Sequence, residues 1–235
     1  MLAVYKRELR TFFTNPIGYI VLAVLFCLSG YYFYMYTMNV GLSDLSYVYD
    51  SLFSVVLLAL PFLTMRMFSE EKRHKTDQAL LTAPTSLTGI VLGKFLATLT
   101  LLLISLSITL VFAFVIALRT TPDWLMIAGN FIGLLLIGGL IISVGLLISS
   151  LTESQIVAAV GTLAISYLLL SVDTLGMIFS NVSWLSKITA FLSISNRYSS
   201  FSAGLIYYDN IIFFLSLQAL FIFLTIRVLD SKRWN

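Results

Sequence analysis

The chain has 235 residues, of which 59% are hydrophobic and 11% charged, with 18 Phe, 12 Tyr and a formal net charge of +3. Its mean hydropathy is +0.99. Such values lie far above those of a soluble domain of this length and leave a polytopic helical membrane protein, with no room for a separate soluble domain between its apolar runs.

The first predicted element, over residues 1–15, is an interfacial amphipathic helix. Leu2, Tyr5, Leu9, Phe12 and Phe13 recur at helical spacing, while Lys6, Arg7 and Arg10 take the other side. Asn15 and Pro16 then read as an N-cap with proline at the first helical position. A bilayer core of about 30 Å needs about 20 predominantly apolar residues per helix. Six stretches qualify as spans: 17–38, 51–68, 90–118, 124–148, 156–172 and 211–229. The first is longer than the apolar region of a cleaved secretory signal and ends in the bulky YYFYMYTM, so it is expected to be a true span. Cys27, the single cysteine, lies inside it, which excludes an intrachain disulfide and suggests a buried thiol acting as a small apolar residue.

The loop after span one, residues 39–50, carries Asp44 and Asp50 and no base. Beyond span two the picture changes. Glu70, Glu71, Lys72, Arg73, His74, Lys75 and Asp77 crowd into one short connection between apolar runs. Charge gathered this way in a membrane chain needs water or another protein to receive it, so residues 69–88 are expected to meet a partner. Gly89, Gly93 and Lys94 superficially suggest a phosphate loop. The glycines are one residue too close, however, and Phe95 stands where Ser or Thr would hold magnesium. His74 has no Cys or His companion for a metal site. Thr121, Pro122 and Asp123 mark the start of span four, and the pairs Gly89/Gly93 and Gly129/Gly133 fit the small-xxx-small pattern of close helix approach. Residues 173–210 are too polar to span and too apolar to float free, and are expected at one membrane face.

Lys and Arg set the orientation. Lys6, Arg7, Arg10, Arg66, Lys72, Arg73, Lys75, Lys94, Arg227, Lys232 and Arg233 fall on one side, and only Arg119, Lys187 and Arg197 on the other. The bias puts both termini and the charged loop in the cytoplasm. Ionisable groups of the spans, such as Arg66, Lys94, Glu153 and Asp173, lie at span ends, so an ion gradient has no midplane handle. Energy is expected to enter from the cytoplasmic side.

The run TMRMFSEEKRHKTDQALLTAPTSLTGIVLGKFLA resembles the first cytoplasmic loop of bacterial ABC transporter permeases of the ABC-2 export class: Glu-Glu, a basic patch, Thr, paired leucines and Pro before a Gly-Lys that opens span three. GLLISSLTESQIVAAV is similar to the tight turn between spans four and five of that class. The stretch from Asn196 to Trp234 resembles the last span and basic tail of the gliding-motility and nitrous-oxide-operon type permeases. Where relatives often carry Glu after the Thr, this chain has Asp77 and Gln78.

The resemblance implies an all-α fold of six transmembrane helices in one permease domain, residues 1–235. It would have an N-terminal elbow helix, a cytoplasmic coupling helix between spans two and three, and external re-entrant half-helices between spans five and six. The implied ATPase-coupling residues are Glu70, Glu71, Lys72, Arg73, Thr76, Asp77, Leu80, Leu81 and Pro84, with Leu80 and Leu81 as apolar anchors. Thr152, Glu153 and Gln155 would make a second cytoplasmic contact. The resemblance further implies a multi-pass protein of the bacterial plasma membrane without catalytic residues, metal or cofactor of its own. ATP and magnesium belong on a separate ABC ATPase subunit. The other expected partners are a second permease subunit in a homo- or heterodimer, membrane lipid and an extracytoplasmic accessory protein; nucleic acid is not expected. The function implied is that of an ATP-driven exporter's permease. The alternatives are a subunit that passes ATP-driven motion to an external partner without moving solute, and a non-transporting membrane scaffold.

Overall fold

The computed structural model describes residues 1–41, 44–76, 86–172, 174 and 193–233. All the elements described there are helical: α1 (Leu2–Thr14), α2 (Pro16–Phe33), a π-helical continuation of α2 over Tyr34–Asn39, α3 (Ser46–Thr64), α4 (Arg66–Arg73), α5 (Leu87–Ala117), α6 (Trp124–Leu151), α7 (Gln155–Leu170), α8 (Ile194–Ser202) and α9 (Tyr208–Arg233). The starts follow local chemistry. Ser86 caps α5 by accepting from Gly89 N, and Asp123 caps α6 by accepting from Leu125 N and Met126 N. Asn15 holds the N-cap position of α2 with Pro16 behind it, but its side chain makes no cap hydrogen bond.

Among the described residues, five helices are long and apolar enough to cross a membrane: Pro16–Asn39, Ser46–Arg73, Leu87–Ala117, Trp124–Leu151 and Tyr208–Ser231. The chain is a multi-pass membrane protein. The stretch read from sequence as a fifth of six spans is α7, which has 16 residues. Its rise of about 24 Å falls short of the ~30 Å core, because Ser154 caps one end and the backbone turns at Ser171. The chain nevertheless returns along α6 here. α6 and α9 start at the same end: Asn130 donates Nδ2 to Ser202 O near the start of α6, and Gln218 donates Nε2 to Leu136 O deeper in. Ile194 of α8 shares a small void with Ile137, Ile141, Leu169 and Leu170, so α8 starts beside the end of α7, and its Phe201 reaches Gly129; of the external half-helices expected over 173–210, residues 173 and 175–192 lie outside the described residues.

The core is organised around α6, the most enclosed of the five candidate spans. Its glycines admit neighbours at backbone distance: a Cβ on Gly138 would stand 2.2 Å from Leu102 Cδ2. The two small-xxx-small pairs serve contacts within the chain. Gly89 and Gly93 seat Met1 and Val4 of the N-terminal segment, and Gly129 and Gly133 seat Phe201 of α8.

Three local expectations change. The face of α1 turned to the protein is Val4, Glu8 and Phe12, while Leu2 and Phe13 remain exposed; the helix lies on α5, where Phe12 of the sequence stripe is buried and Tyr5 OH stands 3.2 Å from Thr100 Oγ1, so the protein-facing side is the stripe's edge with Val4 and Glu8 added. Cys27 is exposed on the outside of α2, where an apolar thiol can face lipid. The second span runs helical to Arg73, so Ser69–Arg73, read as loop, are helix, supported by the i,i+4 pair Arg66–Glu70.

Candidate functional site: a buried ion network at the root of the charged loop

Lys94, on the second turn of α5, is 1% exposed. A buried ammonium needs every proton matched, and three acceptors meet it: Met67 O at 2.7 Å, Glu71 Oε1 at 2.9 Å and Glu8 Oε1 at 3.2 Å. Arg7 closes the ring from α1, with Nη2 2.6 Å from Glu8 Oε1 and 3.0 Å from Glu71 Oε1. The Phe68 ring covers the ammonium with its centroid 5.0 Å away. Burial by itself would raise the Glu8 carboxyl, but the charge of Lys94 and then the hydrogen bond from Arg7 outweigh it and hold the group below its ordinary value. Burial works against the Arg7 charge in the same way, and Glu8 and Glu71 reverse it, so Arg7 is raised. The pairing ties α1, α4 and α5 into one block.

A second tie joins α4 to α6. Pro61 lies inside α3, and the helix is interrupted at Met65 before α4 resumes. Ser149 of α6 fills the gap. Its Oγ accepts from Phe68 N at 2.9 Å and Ser69 N at 3.0 Å and donates to Met65 O at 3.0 Å. Lys72 reaches past it to donate to Ser150 O. The approach is close enough that a Cβ on Gly145 would stand 2.1 Å from Thr64 Oγ1.

Both connections leaving this block have fixed exits. α4 ends in a Schellman arrangement, Thr76 N to Glu71 O and Lys75 N to Lys72 O, with Lys75 in the left-handed region at φ 56° where glycine is usual. The α6–α7 turn, Thr152 to Ser154, is held by Ser154 N donating to Thr152 Oγ1 and by Ser154 capping α7.

Among the residues expected to contact an ATPase, Glu71 and Lys72 therefore turn into the protein, and Glu70 pairs with Arg66 at 2.8 Å. Arg73 and Thr76 are exposed where α4 ends; Glu153 is exposed, and Thr152 and Gln155 are half-buried in the neighbouring turn. Asp77, Leu80, Leu81 and Pro84 lie outside the described residues. Sequence reading missed Arg7, Glu8, Arg66, Lys94, Ser149 and Ser150 as members of this site. Glu8 was the available signal, an acid among bases on a helix meant for an anionic membrane face; its partner is 86 residues away, beyond any local pattern. Among the described residues, no group of His, Cys, Asp or Glu is arranged to hold a metal.

A family model described as ABC-2 family transporter protein matches residues 2–233, almost the whole chain. The chain belongs to that family. No match to a curated protein accompanies it. As an ABC-2 permease it is the membrane component of an ABC transporter, without ATPase activity, a subunit type that associates with an ABC ATPase and typically dimerises.

Proposed function

We propose that this ABC-2 permease is the membrane subunit of an ATP-driven exporter, and that it takes up motion from its ATPase through the end of the bundle where the charged loop and the α6–α7 turn emerge. The observation that carries this reading is the double tie at that end. Ion pairs join α1, α4 and α5, and Ser149 with Lys72 joins α4 to α6. A push on the exposed end of α4 or on Glu153 would reach four helices as one displacement. Six passes, with α7 and α8 sharing the fifth, would bring both termini to this side, and the excess of Lys and Arg there makes it the cytoplasmic face of a bacterial plasma membrane. Residues 69–88 would act as the coupling element, with Leu80 and Leu81 entering an apolar groove on the ATPase.

Co-purification with the cognate ATPase tests the reading. Leu80→Asp with Leu81→Asp forces charge into an apolar contact, at a cost of several kcal/mol. ATPase recovery should be lost while membrane insertion and monodispersity persist. Full recovery of the ATPase with the double variant would remove this loop as the main contact.

A further inference from the structure

Two features on the outside of the bundle adjoin one another; the first opens beside the ion network of the coupling reading, and the second takes no part in it. One is a cleft of ≈ 200 Å³ between α1, the start of α2 and the α3–α4 junction, with Arg7, Thr11, Asn15, Arg66 and Glu70 on its walls. The other is an apolar groove of ≈ 600 Å³ along α2 and α3, floored by Val24, Leu28, Leu58, Ala59 and Phe62. They lie side by side: Gly18 and Arg66 border the cleft, and their chain neighbours Ile17 and Met65 border the groove. Gly18 makes the corner, since a Cβ there would stand 2.2 Å from Phe12 O.

The charge and the length of this surface specify an occupant. Three bases, Arg7, Arg66 and Lys94, face three acids, Glu8, Glu70 and Glu71, so the cleft is balanced and suits a ligand carrying both signs. Lys94, Glu8 and Glu71 are committed to one another. Arg7 also bonds Glu8 and Glu71, and both oxygens of Glu70 accept from Arg66, but at 50% and 34% side-chain exposure these two groups have faces open to a further charged partner. Asn15 lines the same wall with an amide that makes no cap bond. The lining runs from Ile17 to Tyr32 along α2, a step of about 22 Å, and from Ser54 to Met65 along α3, about 17 Å, so the groove is at least as deep as one leaflet of the ~30 Å hydrocarbon core. A second protein copy laid in the groove would need to match a charge-balanced cleft at one end only; a lipid has that division built in.

We propose that cleft and groove together bind one bilayer phospholipid with a primary-amine head. Its phosphate lies between Arg7 and Arg66, its ammonium meets Glu70, and an acyl chain occupies the α2–α3 groove. An anionic head without the amine would leave Glu70 facing negative charge, and a trimethylated amine has no N–H to give it. The inference rests on α2 and α3 being membrane spans, and it is independent of the direction of transport.

Native mass spectrometry of the full chain in mild detergent decides it, using phosphatidylethanolamine, phosphatidylcholine and phosphatidylglycerol with identical acyl chains in competition. The ethanolamine adduct should exceed each of the others by about tenfold, equivalent to about 1.4 kcal/mol. Leu58→Trp, at an outward position 56% exposed, places an indole across the groove and should reduce the ethanolamine adduct by about tenfold. Glu70→Gln should keep lipid bound and lose the preference for ethanolamine. Equal adducts for the three lipids in the wild type, or an unchanged ethanolamine adduct in Leu58→Trp, would overturn the proposal. So would a dimer that Leu58→Trp converts to monomer with bound lipid unaltered, which would assign the groove to a second copy.

Discussion

Replacing both Glu8 and Glu71 by Gln leaves the Lys94 ammonium in the same buried position with neutral amides in place of its two carboxylates. At 2.9 Å and 3.2 Å, and with an effective dielectric of ~20, each contact is worth about 5 kcal/mol of gross attraction. Most of that is offset by desolvation in the intact protein. Once the carboxylates are gone, the desolvation cost of Lys94 stands with only Met67 O and the amide oxygens against it, and breaking a buried pair in this way costs about 3–5 kcal/mol. For a chain of this size that is a fall in melting temperature on the order of 10 °C, readable by fluorescence-detected size exclusion after heating in detergent. The matching triple variant, Lys94→Met with Glu8→Gln and Glu71→Gln, removes the stranded charge and should recover most of the loss. A double variant that melts like the wild type, or a triple variant as unstable as the double, would refute the idea that these carboxylates exist to hold a buried cation.

Three further outcomes are expected. Ser149→Ala removes the acceptor for Phe68 N and Ser69 N, and at about 1–3 kcal/mol for each stranded buried donor it should destabilise more than any other single hydroxyl deletion in α6; unchanged thermal stability would show that water replaces it. Glu8, held below its ordinary value near 4.5, contributes stability that is fully present above that pH and is lost as pH falls through the depressed folded value. Thermal stability on acidification should therefore drop more steeply for the wild type than for Glu8→Gln, and parallel curves would contradict the assignment. In a Cys27→Ala background, cysteine at Ser43 or Ser183 should react with an impermeant thiol reagent added outside intact cells, and cysteine at Thr76 should not; labelling at Thr76 alone inverts the topology.

The helices were legible because their signals are local. Long apolar runs, Asp123 before α6, and Pro16 after Asn15 all act within a few residues. The end of the second span was misplaced because Ser69–Arg73 is as polar as a loop, and only a pair at i,i+4 and a Schellman end, with a Lys where Gly is usual, keep it helical. α7 read as a full span because hydropathy counts residues and does not register where Ser154 and Ser171 end the helix. Within the candidate site, the concentration of charge after span two was visible. Which charges turn inward was not, because the choice is made by Lys94 and Ser149, residues that come near in space and lie 23 to 84 positions away in sequence. Glu71 and Glu70 are neighbours of the same type with opposite fates: one points at α5 and the other stays on its own helix with Arg66.

The Ser149 hydroxyl carries consequences for how the joint can move. One oxygen accepts two backbone protons and donates its own, so its capacity is full, and all three bonds converge on the interruption between α3 and α4. Tilting α4 by a small amount lengthens all of them together and is resisted from the start. A larger tilt strands two buried donors at once, so resistance ends abruptly once the bonds let go. A joint of that kind behaves as a latch: below a threshold force α4 and α6 move as one piece at this point, and above it the Ser149 contact opens in a single step, leaving α4 held by the ion pairs to α1 and α5 and by Lys72. Work delivered gradually at the loop would then be converted into a discrete event inside the membrane.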